Sequence, residues 1–161
     1  MFIIRKMQYA DWEAAASIYA EGIETGLATF EEKVPSWEEW DQNHMKNCRF
    51  VIEKNSEMAG WAALSPVSAR SAYRGAAEVS IYVSSRFRGL GGGERLLTRL
   101  ITESEAEGIW TLQSVVFREN RSSLRLHEKT GFRTVGYREK IACLHGVWQD
   151  TVLMEKRSQL I

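Results

Sequence analysis

The chain has 161 residues, the length of one ordinary domain, so we expect a single domain over residues 1–161. Hydrophobic residues make up 44% of it and charged residues 26%, which are globular proportions and exclude a disordered chain. The 21 basic residues equal the 21 acidic residues in number. This lack of a basic surplus argues against a nucleic-acid partner.

Two cysteines, Cys48 and Cys143, lie far apart and form no CxxC pair, so the sequence predicts neither a metal site nor a disulfide framework. The first residues of the chain contain no apolar signal-peptide core, and no apolar run approaches the ~18 residues of a membrane span. We therefore expect a cytoplasmic protein with reduced thiols and no membrane partner.

The first half of the chain predicts two helices and three strands. Asp11 is expected to cap the first helix, and Ser36 with Glu39 forms a capping box for the second. Residues 29–31 read as a short extended stretch and residues 66–75 as a polar loop. In chain order the predicted elements are strand Phe2–Met7, helix Trp12–Glu24, helix Trp37–Lys46, strand Arg49–Lys54 and strand Met58–Leu64.

The second half begins with the clearest strand, Ala76–Ser84, in which apolar residues at the odd positions 77 to 83 alternate with Glu78, Ser80 and Tyr82. An apolar strand over residues 110–117 is expected to be buried on both faces. A strand–loop–helix–strand unit between antiparallel hairpins predicts an α/β fold with a mixed sheet. The remaining predicted elements are helix Gly91–Glu107, helix Asn120–Lys129, and strands Phe132–Ile141 and Val147–Lys156.

A glycine-rich loop, Arg86–Gly93, separates the clearest strand from the following helix. Backbone N–H groups at the positive end of a helix dipole favour a phosphate, and glycines let a diphosphate approach closely. Arg86 and Arg88 can add charge-assisted hydrogen bonds. The loop is neither a dinucleotide fingerprint, because Glu94 replaces the third glycine, nor a P-loop. A flexible hinge with two solvated arginines is the alternative.

Four segments together resemble the GNAT superfamily of N-acetyltransferases, and more narrowly its phosphinothricin and methionine sulfoximine acetyltransferase branch. The segments are ATFE (28–31), AEVSIYV followed by RxxGxG (77–91), NRSSLRLHEKTGF (120–132) and GVWQD (146–150). The resemblance implies the superfamily's fold, a mixed central sheet of about seven strands flanked by about four helices. It also implies an enzyme that uses acetyl-CoA and no metal.

By resemblance, the glycine loop wraps the pyrophosphate of acetyl-CoA, and free backbone groups of the central strand polarise the acetyl carbonyl. Asn120 would bind at the mouth of the groove, or act only as a helix N-cap. Gly92 and Glu94 depart from the family pattern, and Glu94 would repel the pyrophosphate. The implied cofactor-binding residues are Ile81, Val83, Arg86, Arg88, Gly89, Leu90, Gly91, Gly92, Gly93, Asn120 and Ser123.

Acetyl transfer needs a general base, because an amino group that titrates near pH ~8 is mostly protonated at neutral pH. Glu78 matches the branch's catalytic glutamate, although an ion pair with an arginine of the preceding loop is an alternative. His127 matches a histidine of the branch, which implies that it protonates the leaving thiolate or takes part in a proton relay. The alternative is that His127 has only a structural role. His44 and His145 lack such a context and are expected at the surface.

The predicted acceptor is the amine of a small amino acid or analogue of the phosphinothricin or methionine sulfoximine type. Arginines before the central strand would bind its anionic group bidentately, or else belong to a solvated loop. Two aromatic residues would line the acceptor pocket or join the core. The implied acceptor-binding residues are Phe30, Arg70, Tyr73, Arg74 and Trp148.

Two further expectations follow from the resemblance. Branch members commonly form homodimers, and the zero net charge does little to oppose association. The competing hypothesis for function is a non-catalytic acyl-CoA-binding sensor or partner module on the same fold. Glu78 and His127 favour the enzyme, since binding alone requires neither.

Overall fold

The computed structural model describes residues 1–161 and contains one seven-stranded sheet with helices on both faces, which confirms the predicted α/β class. No helix is long and apolar enough to cross a membrane. The elements are β1 Phe2–Lys6, α1 Trp12–Glu24, α2 Trp37–Asn43, β2 Phe50–Lys54, β3 Glu57–Pro66, β4 Ala76–Val83, α3 Gly92–Ala106, β5 Thr111–Phe117, α4 Arg121–Lys129, β6 Arg133–Leu144 and β7 Val147–Arg157.

The strand order is β1-β2-β3-β4-β5-β7-β6. Every neighbouring pair is antiparallel except β4 and β5, which are parallel and joined through α3. This is the mixed sheet that the sequence predicts. β5 can run parallel to β4 because the crossover through α3 returns the chain to the end of the sheet at which β4 began.

The two central strands separate after a short pairing. β4 pairs with β5 only over residues 76–78, whereas its pairing with β3 continues as far as Val83. Beyond Glu78, one backbone side of β4 therefore has no strand partner. The gap between the strands lies at the middle of the sheet and opens the cleft described below.

The sheet is covered on both faces by apolar side chains. On one face, α3 packs Leu96, Leu97 and Leu100 against β2, β3 and β4. On the other face, α1 and α2 pack around an aromatic group that includes Trp40 and Trp61. Burying these side chains supplies the main driving force for folding, at roughly 25 cal/mol per Å² of apolar surface.

Some local predictions are wrong. Asp11 does not cap α1; its carboxylate instead accepts two hydrogen bonds of 2.8 Å from Arg5 and one of 2.7 Å from the Gln8 amide. α2 ends at Asn43, before the predicted end at Lys46. β5 is fully buried on one face only, since Thr111, Gln113 and Val115 on the other face stay partly exposed. The Ser36–Glu39 capping box is confirmed.

Gly60 tests how closely β3 and β4 approach. A Cβ added there would stand 2.6 Å from the carbonyl oxygen of Tyr82, a backbone atom that cannot move aside without breaking the ladder. We expect Gly60→Ala to lower the free energy of unfolding by about 1–3 kcal/mol, the usual effect of overpacking. Urea denaturation measures it.

The control is Gly136→Ala on β6, where an added Cβ would meet nothing within 4 Å and the backbone needs no positive φ. That variant should match the parent chain. Equal stability of the two variants would show that β3 and β4 are not held this close.

Candidate active site

A cleft of about 390 Å³ occupies the gap between β4 and β5. Its walls come from α1, the segment after it, the residue that follows α2, both separated strands and α4. Six residues predicted from the sequence line it: Phe30, Glu78, Ile81, Asn120, Ser123 and His127. The lining contains no lysine or arginine and two glutamates, so its own charge favours a cationic group.

Glu78 stands at the last residue pair that joins β4 to β5. Its Oε1 accepts a hydrogen bond of 2.9 Å from Nε2 of Gln113, the residue paired with it on β5. No arginine lies within ion-pair distance of this carboxylate, so the alternative of an ion pair with the preceding loop is not realised. Glu78 is half-buried and lines the cleft.

His127 is 1% exposed and lies on α4 at the cleft wall. Its Nδ1 is 2.7 Å from the carbonyl oxygen of Ser123, and since a carbonyl can only accept, Nδ1 must carry the hydrogen. Nε2 has no partner in the protein. Burial lowers the pKa of the imidazole below its ordinary value of 6.5. The neutral ring therefore offers Nε2 as an acceptor, not as an acid.

The glycine loop ends at the N-terminus of α3, beside the cleft. Gly89 and Gly91 have φ of +76° and +84°, a conformation that favours glycine, and no side chain caps the helix. Gly93 lies between Val83 of β4 and Leu126 of α4. The exposed turn leaves the first N–H groups of α3 available to an anion, so the loop suits a diphosphate.

Other features of the loop differ from the expectations. Gly92 is buried, and a Cβ there would lie 3.1 Å from the Phe2 ring, so packing explains this glycine. Arg86 forms an ion pair with Glu57 on β3. Glu94 forms an ion pair of 2.6 Å with Lys129, which offsets the repulsion expected near a pyrophosphate.

Arg88 forms a hydrogen bond with one of the β4 backbone groups that the resemblance implies to be free. Its Nε donates a hydrogen bond of 3.3 Å to the carbonyl oxygen of Val83. That carbonyl is therefore already paired, and among the residues predicted to offer backbone groups only Ile81 lines the cleft. Leu90 is half exposed at the tip of the loop.

Most of the predicted acceptor-binding residues lie outside the cleft lining. Phe30 is in the cleft, with its ring centroid 4.5 Å from that of Phe117. The guanidinium of Arg74 lies 5.3 Å from the Trp110 ring, and Arg70 and Tyr73 are exposed on the same loop. Trp148 is 61% exposed on β7. Acceptor contacts from these four residues stay predictions.

Three residues that the sequence reasoning missed also line the cleft: Tyr19, Tyr82 and His44. The rings of Tyr19 and Tyr82 stack at 4.8 Å, and burial raises the pKa of both. The alternation of β4 already places Tyr82 on the same face as Glu78, so it could have been found. His44 is half-buried rather than at the surface, a correction that depends on how α2 packs. His145 is exposed, as predicted.

The cleft between parted central strands, next to a glycine loop at a helix N-terminus, is the arrangement implied by the resemblance. Residues 10–132 match the acetyltransferase (GNAT) family, and the chain belongs to that family. It is an N-acetyltransferase with acetyl-CoA as its co-substrate, which confirms the prediction of an enzyme over that of a binding module. No cluster of three or more potential metal ligands is present.

Named relatives match over nearly the whole chain. The phosphinothricin N-acetyltransferase of Streptomyces viridochromogenes is 32% identical, over 98% of this chain and 88% of its own. The phosphinothricin N-acetyltransferase of Alcaligenes faecalis is 33% identical, over 95% and 81%. The crystal structure of a GNAT superfamily phosphinothricin acetyltransferase from Sinorhizobium meliloti in complex with AcCoA has a TM-score of 0.88 and 31% identity, over 97% of this chain and 88% of that chain.

The buried His127 and the half-buried His44 should make stability depend on pH. Burial lowers the pKa of both His44 and His127 from 6.5, so the unfolded chain binds protons more readily than the folded chain. Stability is therefore full above about pH 6.5 and falls as the pH drops toward the folded pKa. The free energy of unfolding should fall by up to ~1.4 kcal/mol per pH unit for each histidine.

Urea unfolding at about pH 7 and pH 5.5 measures this slope. His127→Gln should lose part of the pH dependence, whereas the exposed-histidine variant His145→Gln should keep it. A slope that His127→Gln leaves unchanged would contradict burial of a neutral ring.

Proposed function

We propose that this enzyme acetylates the α-amine of a small amino acid or analogue of the phosphinothricin or methionine sulfoximine type. The observation that supports the proposal most is the near-complete alignment with relatives named for these acceptors, at 32% and 33% identity. Another relative, from Salmonella typhimurium, is named L-methionine sulfoximine/L-methionine sulfone acetyltransferase and is 30% identical over 65% of this chain.

The charge of the cleft suits the ammonium end of such an acceptor. Glu31 and Glu78 line the cleft and no cationic side chain does, so an incoming ammonium is attracted without competition. The acceptor's anionic group would lie toward the loop before β4, where Arg70 and Arg74 are exposed and could bind it bidentately. Arg74 would exchange its hydrogen bond of 3.3 Å to the Ser71 carbonyl for the acceptor.

Acetyl-CoA supplies a thioester whose acyl carbon the amine attacks. In the proposed reaction Glu78 takes a proton from the ammonium, held for this by its hydrogen bond from Gln113. The backbone side of β4 near Ile81, which has no strand partner, would direct an N–H toward the developing oxyanion. After the attack the nitrogen loses a second proton; His127 Nε2, which carries no hydrogen of its own, would take that proton and pass it to the sulfur as the C–S bond breaks.

The loop of Gly89 to Gly93 and the N-terminus of α3 would hold the pyrophosphate, and Asn120 with Ser123 would bind the cofactor near the cleft. Asn120 already accepts a hydrogen bond of 3.3 Å from the Ser123 amide, so its N-cap role coexists with this one. Arg88, whose side chain is exposed on the same loop, would also bind the pyrophosphate.

We further propose one domain over residues 1–161, acting in the cytoplasm as a homodimer without nucleic-acid or membrane partners. The cytoplasm is proposed because its reducing conditions keep Cys48 and Cys143, which form no disulfide, as thiols. The dimer is supported by the β6–β7 hairpin, whose exposed apolar side chains are Val135, Tyr137, Ile141, Val147 and Trp148.

Glu78→Gln tests the base. At about pH 7, turnover with phosphinothricin should fall roughly 10²–10⁴-fold, the usual worth of a positioned acid–base group. Acetyl-CoA affinity should not change, and the loss should shrink as pH rises because more of the amine is already neutral. Thiol release, measured with phosphinothricin, methionine sulfoximine and methionine sulfone, gives the rates.

The control is Glu31→Gln, which removes the other carboxylate of the cleft. It should retain most of the turnover; a larger loss there than in Glu78→Gln would assign the base to Glu31. No thiol release with any of these acceptors in the parent chain would contradict the proposed acceptor class.

Assembly is tested by light scattering at micromolar concentration, where the parent chain should be a dimer. Replacing Ile141 and Val147 together by lysine should yield monomers, because burying the two charges would be costly. Ile3→Lys is the control, since Ile3 is 58% exposed on β1 at the opposite edge of the sheet. A monomeric parent chain would contradict the proposal.

A further inference from the structure

His44 is a second imidazole at the cleft. It follows the last residue of α2, has an extended backbone with φ −116° and ψ 149°, and lines the same cleft as Glu78 and His127. Its ring stacks on Trp40 with centroids 4.3 Å apart. This residue has no part in the activity derived above.

The hydrogen bonding of the ring fixes which nitrogen is free. Nδ1 lies 2.7 Å from the carbonyl oxygen of Trp40, four residues earlier, so Nδ1 carries the hydrogen. In the neutral ring, Nε2 is therefore an acceptor without a hydrogen. His127 makes the same bond to the carbonyl of Ser123 at 2.7 Å. Two imidazoles in the same tautomer thus lie on different walls of one cleft.

Arg49 holds the end of α2 that positions His44. Its side chain is 9% exposed and forms an ion pair of 2.5 Å with Asp41. The guanidinium also donates to three carbonyl oxygens, those of Met45 at 2.6 Å, Asp41 at 2.9 Å and His44 at 3.0 Å. These bonds leave the segment that bears the imidazole little freedom to move.

Charges of both signs lie near His44, and desolvation is the main reason that its ring is neutral. Arg49 stands on one side, with its charge partly offset by Asp41. Across the cleft are the carboxyls of Glu31 and Glu78 and the phenols of Tyr19 and Tyr82, whose pKa is raised by burial. His44 is desolvated, and burial lowers its pKa. A neutral imidazole that accepts hydrogen bonds, in a cleft with two carboxylates, suits an ammonium with several N–H donors and does not suit an anion.

We propose that His44 Nε2 contacts the acceptor, accepting an N–H hydrogen bond from its ammonium and then its amine. The proton that leaves the ammonium before the attack goes to Glu78, and the second proton, lost after the attack, leaves by way of His127. His44 binds the third N–H, which remains in the amide, and so keeps the nitrogen lone pair directed at the acyl carbon. This inference rests on the proposed function, and it makes α2, which supplies no predicted site residue, a part of acceptor recognition.

The test compares His44→Phe, which keeps a ring to stack on Trp40 but has no acceptor, with His44→Gln, which keeps an acceptor oxygen. With phosphinothricin, His44→Phe should lose about 10- to 100-fold in kcat/KM, the worth of a hydrogen bond to a charged group. His44→Gln should recover most of it. The Kd of acetyl-CoA should stay unchanged in both, and the exposed-histidine control His145→Phe should match the parent chain.

Two further readouts separate contact from mere support. The acid limb of the pH profile of kcat/KM should be less steep in His44→Gln, because protonated His44 repels the ammonium and glutamine does not titrate. In ¹⁵N imidazole spectra of the CoA-bound parent chain, adding phosphinothricin should shift the Nε2 signal of His44.

Full kcat/KM in His44→Phe, or equal losses in both variants with an unchanged pH profile, would overturn the inference and leave the proposed function standing. An Nε2 signal that the amine does not shift would also overturn it, with or without turnover. Failure of the parent chain to acetylate any acceptor is a separate result, which contradicts the proposed function.

Discussion

The separation of β4 from β5 after Glu78 determines the rest of the site. A parallel pair that ends after three residue pairs leaves one backbone side of β4 unpaired at the middle of a sheet. Buried backbone groups without partners are costly, so such a gap persists where a ligand can satisfy them. The glycine loop, α4 and α1 all lie around this gap.

The cleft has walls with different chemistry. On the α3 side, the helix N-terminus and the glycine turn present N–H groups suited to anionic phosphates. On the α1 and α2 side, carboxylates, phenols and His44 present acceptors suited to an ammonium. One sheet can separate the two because successive β4 side chains point to opposite faces, so the anionic co-substrate and the cationic acceptor meet only at the gap.

Short-range patterns predicted much of this from the sequence. The period-two alternation of β4 placed Glu78 on the correct face, and the Ser36–Glu39 capping box set the start of α2. Where tertiary contacts compete, the predictions failed. Asp11 is drawn from its capping position by Arg5, which also pairs with Glu53 of the adjacent strand. His44 lies one helical turn after Trp40, but its partial burial depends on how Trp40 packs against α1 and β3 and on the hydrogen bonds of Arg49, which the sequence does not reveal.

The brief β4–β5 pairing has a consequence for cohesion of the molecule. Three residue pairs join a four-stranded half, β1 to β4, to a three-stranded half, β5 to β7, whereas β5 and β7 share seven. A co-substrate seated in the gap as proposed, between Ile81 of one half and Asn120 and Ser123 of the other, would bond to both halves and take the place of the missing strand pairing. Occupancy and sheet integrity are then thermodynamically linked, so the cellular acetyl-CoA concentration sets how firmly the halves are joined.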